Sequence, residues 1–205
     1  MIVFKMNFKK TRLAGTFFNQ SQLPVDARPK ILFFGRSNVG KSSLINKILE
    51  QKLAKTSSTP GKTLSINYYL IDEKLSTRDA PLGGLLFVDM PGYGFAKVAK
   101  TESVRVRKLI ADFLNQVENV RLAALLIDSR RGFLPQDLDT LEQIIQKKFP
   151  ILTILTKSDK ISYSEQKNLI TRLQKNFGLH AVSFSIKSIS GKNEIWKYIN
   201  EAIKE

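Results

Sequence analysis

Eight consecutive residues, Gly35-Arg36-Ser37-Asn38-Val39-Gly40-Lys41-Ser42, follow directly on an apolar run, Ile31-Leu32-Phe33-Phe34, suited to a buried strand. Two glycines at this spacing let successive backbone N–H groups turn inward around a phosphate. Lys41 is long enough to reach the β- and γ-phosphates of a nucleotide, and the Ser42 hydroxyl is a donor for Mg²⁺. From Lys41 onward, Ser42-Ser43-Leu44-Ile45-Asn46-Lys47-Ile48-Leu49 reads as a helix. An anion would therefore also meet a helix N-terminus, where unpaired N–H groups and the macrodipole favour negative charge. Taken as a bare string the segment is a glycine-rich turn; the strand before it and the helix after it argue for a phosphate-binding loop.

Three more motifs fall at the ends of apolar runs. Asp89-Met90-Pro91-Gly92 follows Leu85-Leu86-Phe87-Val88. A carboxylate there can hold Mg²⁺ through a water, and the Gly92 amide can bond a γ-phosphate that is present before hydrolysis and gone after it. Thr156-Lys157-Ser158-Asp159 follows Ile151 to Leu155. Asp159 can accept from N1–H and the 2-amino group of guanine, and adenine lacks both donors. Ser185-Ile186-Lys187 ends the last apolar run, where a backbone N–H can reach the guanine O6. Each motif alone has an ordinary alternative as a turn or a helix cap. Their order along the chain points to a guanine nucleotide.

The elements that must position these residues alternate between strand and helix, as an α/β domain requires. The six strand candidates are 31–34, 63–71, 85–88, 122–127, 151–155 and 181–186. The second and third, joined through a region with Pro81, Gly83 and Gly84, are expected to be antiparallel. Helical spacing appears at Val106, Ile110, Phe113 and Val117, at Leu138, Leu141 and Ile145 after Pro135, over 163–176, and at Ile195, Trp196, Ile199 and Ile203. Lys52 to Lys62 reads as a long exposed loop, and residues 1–29 are the least legible stretch.

Composition narrows the classes. A chain of 205 residues with 42% hydrophobic content suits one domain with a substantial core. It has no cysteine, which removes disulfides and thiolate metal sites and fits a reducing cytosol, and its one histidine, His180, is expected to be structural. No apolar run approaches the length of a bilayer span, so a cytoplasmic protein without stable membrane insertion is expected. The net charge of +15, from 33 Lys and Arg against 18 Asp and Glu, calls for a polyanionic partner such as RNA.

Four strings carry a resemblance: Gly35 through Asn46, Pro60-Gly61-Lys62-Thr63, Asp89-Met90-Pro91-Gly92-Tyr93-Gly94-Phe95-Ala96 and Thr156-Lys157-Ser158-Asp159. From about residue 24 to the C-terminus the chain resembles the EngB (YihA/YsxC) group of bacterial ribosome-biogenesis GTPases. The resemblance implies a three-layer P-loop GTPase fold of the Ras-like type, with a mostly parallel sheet of about six strands, one of them antiparallel, and helices on both faces. Residues 24–205 would be the G domain and residues 1–23 an extended N-terminal segment. It implies a monomer that binds GTP or GDP with Mg²⁺ and acts with the large ribosomal subunit, its precursors and their rRNA, with a link to cell division and septation.

By the same resemblance the nucleotide is held by Gly35 through Ser43, by Gly61, Lys62, Thr63, Leu64 and Ser65, by Asp89 through Gly92, by Thr156 through Asp159, and by Phe184, Ser185 and Ile186. Ser42, Thr63 and Asp89 would be the metal residues, with Thr59 an alternative to Thr63. Lys41, Asn38, Thr63 and Gly92 would act in hydrolysis. Tyr93 stands where Ras-type enzymes carry a water-orienting Gln, so slow intrinsic hydrolysis is expected. In related GTPases lacking that Gln, an Asn at the place of Asn38 helps hold K⁺ against the phosphates, which makes K⁺ stimulation the expectation here. Two alternatives remain at this stage: a small-molecule kinase on a related phosphate-loop fold, and a basic membrane- or septum-associated scaffold.

Overall fold

The structure, a computed structural model, describes residues 11–55, 65–71, 83–94 and 100–204. Among these residues seven strands form one sheet: β1 (Thr11–Phe17), β2 (Lys30–Gly35), β3 (Ile66–Ile71), β4 (Leu85–Asp89), β5 (Val120–Asp128), β6 (Ile151–Thr156) and β7 (Ala181–Ser183). Among the described residues five α-helices accompany them: α1 (Lys41–Leu49), α2 (Lys100–Gln116), α3 (Pro135–Gln146), α4 (Tyr163–Phe177) and α5 (Ser190–Lys204). The strand order is β1-β3-β4-β2-β5-β6-β7. Only β3 runs against the others, pairing antiparallel with β4 on one side and β1 on the other. Strands β4, β2, β5, β6 and β7 are mutually parallel, so their C-terminal ends share one edge.

Burial on both faces explains why the central strands read as unbroken apolar runs. In β2, Ile31 and Phe33 point to the side covered by α1 and α5, where they join Leu44, Ile48, Phe87, Ile195 and Ile199. Leu32 and Phe34 point the other way, into a core with Ile110, Phe113, Leu125, Ile144 and Leu173 from the remaining helices and strands. Strand periodicity of two sends one run of four residues into two cores.

Four sequence expectations need correction. The sheet has a seventh strand, because β1 adds to the free edge of β3 through a bulge between Leu13 and Gly15. Its residues are mostly exposed or half-buried, so it carries little hydrophobic pattern. The last strand ends at Ser183 instead of 186, since the chain turns there and the Ser185 hydroxyl accepts the Lys187 N–H. Helix α3 buries Asp137, Thr140, Leu141 and Ile144 and leaves Ile145 52% exposed. Its inner face is rotated so that two polar side chains meet the sheet edge. The loop after α1 begins inside the fold: Ala54 is buried, held by both ends of the Asn46 amide at 2.7 and 2.8 Å. Residues 56–62 of that loop lie outside the described residues.

Ahead of β2 lies a buried lysine. Lys30 is 2% exposed, and its ammonium donates to the carbonyls of Asp26, of Arg28 at 2.9 Å and of Glu118 at 3.0 Å. It ties the entry to the sheet to the connection between α2 and β5. Burial pulls its pKa below the usual lysine value, against the attraction of Asp26.

Candidate functional site

Strand β2 delivers its last residue into a turn that no L-residue would follow comfortably throughout. Gly40 has φ +108°, and it precedes α1 directly. There is no side-chain cap and no acidic residue in the first turn, so the first N–H groups of α1 face the end of β2 with their dipole unopposed. Asn38 adopts φ +60°, a conformation that Asn tolerates better than most residues. The loop is anchored from below, where the buried Thr156 hydroxyl donates to the Val39 carbonyl at 2.7 Å.

Beside the loop, Lys41 Nζ is ion-paired with Asp89 Oδ1, and the two residues are 7% and 2% exposed. Asp89 ends β4, which lies next to β2 in register. The following residues keep close to the loop: Met90 N–H donates to the Phe33 carbonyl at 3.1 Å, and Ser37 N–H donates to the Tyr93 carbonyl at 2.9 Å. Gly92 lies flat against the phosphate loop, and a Cβ added there would stand 3.2 Å from both Ser37 Cα and Ser37 N. Ser42 is half-buried in the first turn of α1. Ser65 heads β3 at the same sheet edge, since Asn67 pairs across from Asp89, and its hydroxyl meets the Asn67 side chain at 3.4 Å. Gly61, Lys62, Thr63, Leu64 and the alternative Thr59 lie outside the described residues.

The third part of the site comes from β6 and the turn after β7. Lys157, at φ +56°, donates to the Asn38 carbonyl at 2.8 Å and to Asp128 Oδ2 at 2.9 Å. Asp159 Oδ1 accepts the Ser185 hydroxyl at 2.8 Å, and Lys187 Nζ lies 3.4 Å from its other oxygen. The Ser185 hydroxyl and then the Lys187 ammonium hold the Asp159 carboxyl below the usual carboxylate range, so it stays ionised and acceptor-only. Phe184 is placed differently from a ligand contact. Its side chain is in the core, its N–H donates to Leu155 at 2.8 Å, and its carbonyl accepts from Ser158 at 3.2 Å. Ile186 is 57% exposed on the rim. His180 lies away from these groups, with its ring 6.1 Å from Tyr198.

Asp128 belongs to the site although it carries no motif of its own. It ends β5 and accepts from Lys157 and from the Arg130 guanidinium at 2.6 Å. Burial would raise its carboxyl, but the hydrogen bonds from Arg130 and Lys157 outweigh that and hold it well below the usual carboxylate range. The available signal was its position directly after the apolar run 122–127, at the sheet edge where α/β domains bind ligands. Between the phosphate loop, the 128–132 turn, Asp137 and Lys157 lies a cleft of about 290 Å³.

Among the described residues no cluster of three or more His, Cys, Asp or Glu side chains could hold a metal. Ser42 and Asp89 offer two hard oxygens at the end of the phosphate loop. That donor set fits Mg²⁺, which keeps several waters and is commonly completed by nucleotide phosphates. Among the described residues no helix is long and apolar enough to cross a membrane.

Residues 30–157 match the family described as 50S ribosome-binding GTPase. The chain is 39% identical over 198 residues to the "Probable GTP-binding protein EngB" of Kosmotoga olearia, covering 95% of this chain and 99% of that protein. A crystal structure of a probable GTP-binding protein engB superimposes with TM-score 0.65 at 24% identity, over 85% of this chain and 98% of that one. The structure of Era in complex with MgGDPNP and nucleotides 1506–1542 of 16S ribosomal RNA shares the fold, with TM-score 0.60 and 22% identity over 85% of this chain and 57% of that one.

Proposed function

The chain belongs to the EngB family of GTP-binding, GTP-hydrolysing proteins, and from that premise we propose that it is a GTP-driven switch in assembly of the large ribosomal subunit. The observation that carries the nucleotide part of this reading is the tie from Lys157 to the Asn38 carbonyl. It locks the strand end bearing Asp159 to the phosphate loop, so one rigid frame measures both the base and the phosphates of a single nucleotide. The partner part is supported by the net charge of +15 and by the ribosome-binding description of the matching family.

In this reading Asp159 accepts from the guanine N1–H and 2-amino groups, with Ser185 fixing its orientation. The N–H groups of Asn38 and of Gly40 through Ser43 cradle the phosphates. Lys41 leaves Asp89 for the β- and γ-phosphates, which frees the Asp89 carboxylate; Asp89, Ser42 and Thr63 would hold a Mg²⁺, which would supply positive charge to the phosphates when bound. Water attacks the γ-phosphorus, the bond to the β-γ bridging oxygen breaks, and GDP and phosphate result. Lys41 and the Gly92 N–H stabilise the charge developing on the transferred group, and Asn38 would help hold a K⁺ that adds to that stabilisation. Loss of the γ-phosphate releases Thr63 and Gly92, and with them the surface that binds the ribosomal particle. The protein works in the cytoplasm, with a role in cell division and septation.

Co-sedimentation with large ribosomal subunits tests this directly, comparing a non-hydrolysable GTP analogue, GDP and an ATP analogue at low and moderate salt. Retention with the GTP analogue alone is the expected result. Binding that ignores the nucleotide and disappears at moderate salt would defeat the switch reading and leave only non-specific attraction to the positive charge.

A further inference from the structure

Tyr93, which follows Gly92 directly, is buried, and its side chain is directed at helix α3. Its hydroxyl donates to Asp137 Oδ1 at 2.9 Å. Asp137 is 1% exposed, and its other oxygen accepts the Leu134 N–H at 3.0 Å, closing the first turn of α3. On the main-chain side, the Tyr93 carbonyl accepts from Ser37, and Tyr93 forms a parallel bridge with Arg36. Gly92 is therefore clamped between the phosphate loop and a side-chain bond to a different helix.

These contacts close a circuit. It runs from Tyr93 through Ser37 to Asn38, from the Asn38 carbonyl to Lys157 and Asp128, and along the 128–134 turn to Asp137 and back to Tyr93. The cleft of about 290 Å³ lies inside it. One side of the phosphate loop thus lines a cleft, while the loop is held by Val39 in the core and by hydrogen-bonded ties. Of these, the bond from Tyr93 to Asp137 joins the segment bearing Gly92 to the rest of the fold by a side chain.

We propose that Tyr93 is a positioning residue for the triphosphate: its bond to Asp137 holds the Gly92 N–H where a γ-phosphate arrives. The proposal rests on the reading above, in which Gly92 meets the γ-phosphate. The bond then contributes to binding of GTP and not of GDP. It also explains how a Tyr occupies the place of a water-orienting Gln: its role is to fix the backbone beside the phosphate, and the ring itself does not approach the water.

The test is equilibrium binding of a non-hydrolysable GTP analogue and of GDP to the full chain, with thermal melting as the control for folding. Tyr93→Phe keeps the ring and removes the hydroxyl. It is expected to weaken the analogue about fivefold to tenfold, the size of one lost hydrogen bond, with GDP changed by less than about twofold. Asp137→Ala should do the same. Asp137→Asn should retain the wild-type ratio, because its amide oxygen can accept from Leu134 and its amide nitrogen can donate to the Tyr93 oxygen. Equal losses for both nucleotides in Tyr93→Phe, or an unchanged ratio, would overturn the proposal. Gly92→Ala separates the two readings, since its Cβ would press on Ser37. If it lowers analogue binding and Tyr93→Phe does not, only the role of Tyr93 fails. If neither variant shifts the ratio, the γ-phosphate reading of Gly92 fails with it.

Discussion

The Lys41–Asp89 pair sets a large and checkable energy at the centre of the site. Both residues are more than nine-tenths buried, and each is the other's ion-pair partner. Replacing Lys41 by Met keeps the apolar stem and removes the cation, leaving Asp89 as an uncompensated buried charge. Breaking one side of such a pair costs about 3–5 kcal/mol, whereas replacing both partners by apolar groups of similar volume is often close to neutral. At about 2–4 °C per kcal/mol for a chain of this size, Lys41→Met should melt roughly 6–20 °C below wild type when nucleotide and metal are removed. Asp89→Leu, which strands the lysine, should fall in the same range. The double variant, Lys41→Met with Asp89→Leu, should recover most of the loss, and the non-additivity of the cycle measures the coupling. The assay is thermal unfolding of nucleotide-free protein in a chelator. Single variants within about 2 °C of wild type would show that the pair contributes little, and a double variant as unstable as the sum of the singles would show that the two side chains act independently. Either result would refute the claim that Lys41 must be drawn from a strong partner when phosphate binds.

Asp159→Asn turns one acceptor facing the base into a donor. GTP affinity should fall at least about a hundredfold, and xanthosine triphosphate, which carries an acceptor at position 2, should gain by comparison in fluorescence competition. Because the Ser185 hydroxyl and Lys187 depress the Asp159 pKa, the loss of guanine affinity caused by protonating Asp159 should come below the ordinary carboxylate value of 3.8, read as the difference between wild type and Asp159→Asn in a pH series of competition binding. Lys30 titrates below 10.5 in the fold and near its ordinary value when unfolded. In the window between the two the unfolded chain binds more protons, so this group makes stability rise with pH. Urea unfolding of Lys30→Met should lack that contribution, giving a smaller or more negative slope than wild type there. K⁺ should raise the GTP hydrolysis rate over Na⁺ at equal ionic strength, and Asn38→Ala should abolish the difference. Equal rates in the two salts would remove the K⁺ assignment.

The phosphate loop, the helix after it and the polar residues at strand ends were legible in the sequence because each depends on contiguous residues. Gly40 at φ +108° and the uncapped start of α1 are local properties, and a run such as Ile31 to Phe34 is apolar throughout because both sheet faces are covered. Strand β1 was not legible, since an edge strand with exposed residues carries little pattern and its pairing comes from β3, some fifty residues away. The inner face of α3 was misread for a related reason. Helical spacing favoured Ile145, but a hydrogen bond to Tyr93 turns Asp137 and Thr140 inward, and hydrophobic periodicity does not register a polar group buried against a polar partner. Sequence by itself thus determined the phosphate loop, the helix behind it and which polar residues stand at the strand ends. Tertiary structure decided what holds those residues in place: Lys41 by Asp89, Asn38 by Lys157, Lys157 by Asp128 and Tyr93 by Asp137. The partners in these pairs lie tens of residues apart or more, and only strand order and register bring them within hydrogen-bonding distance.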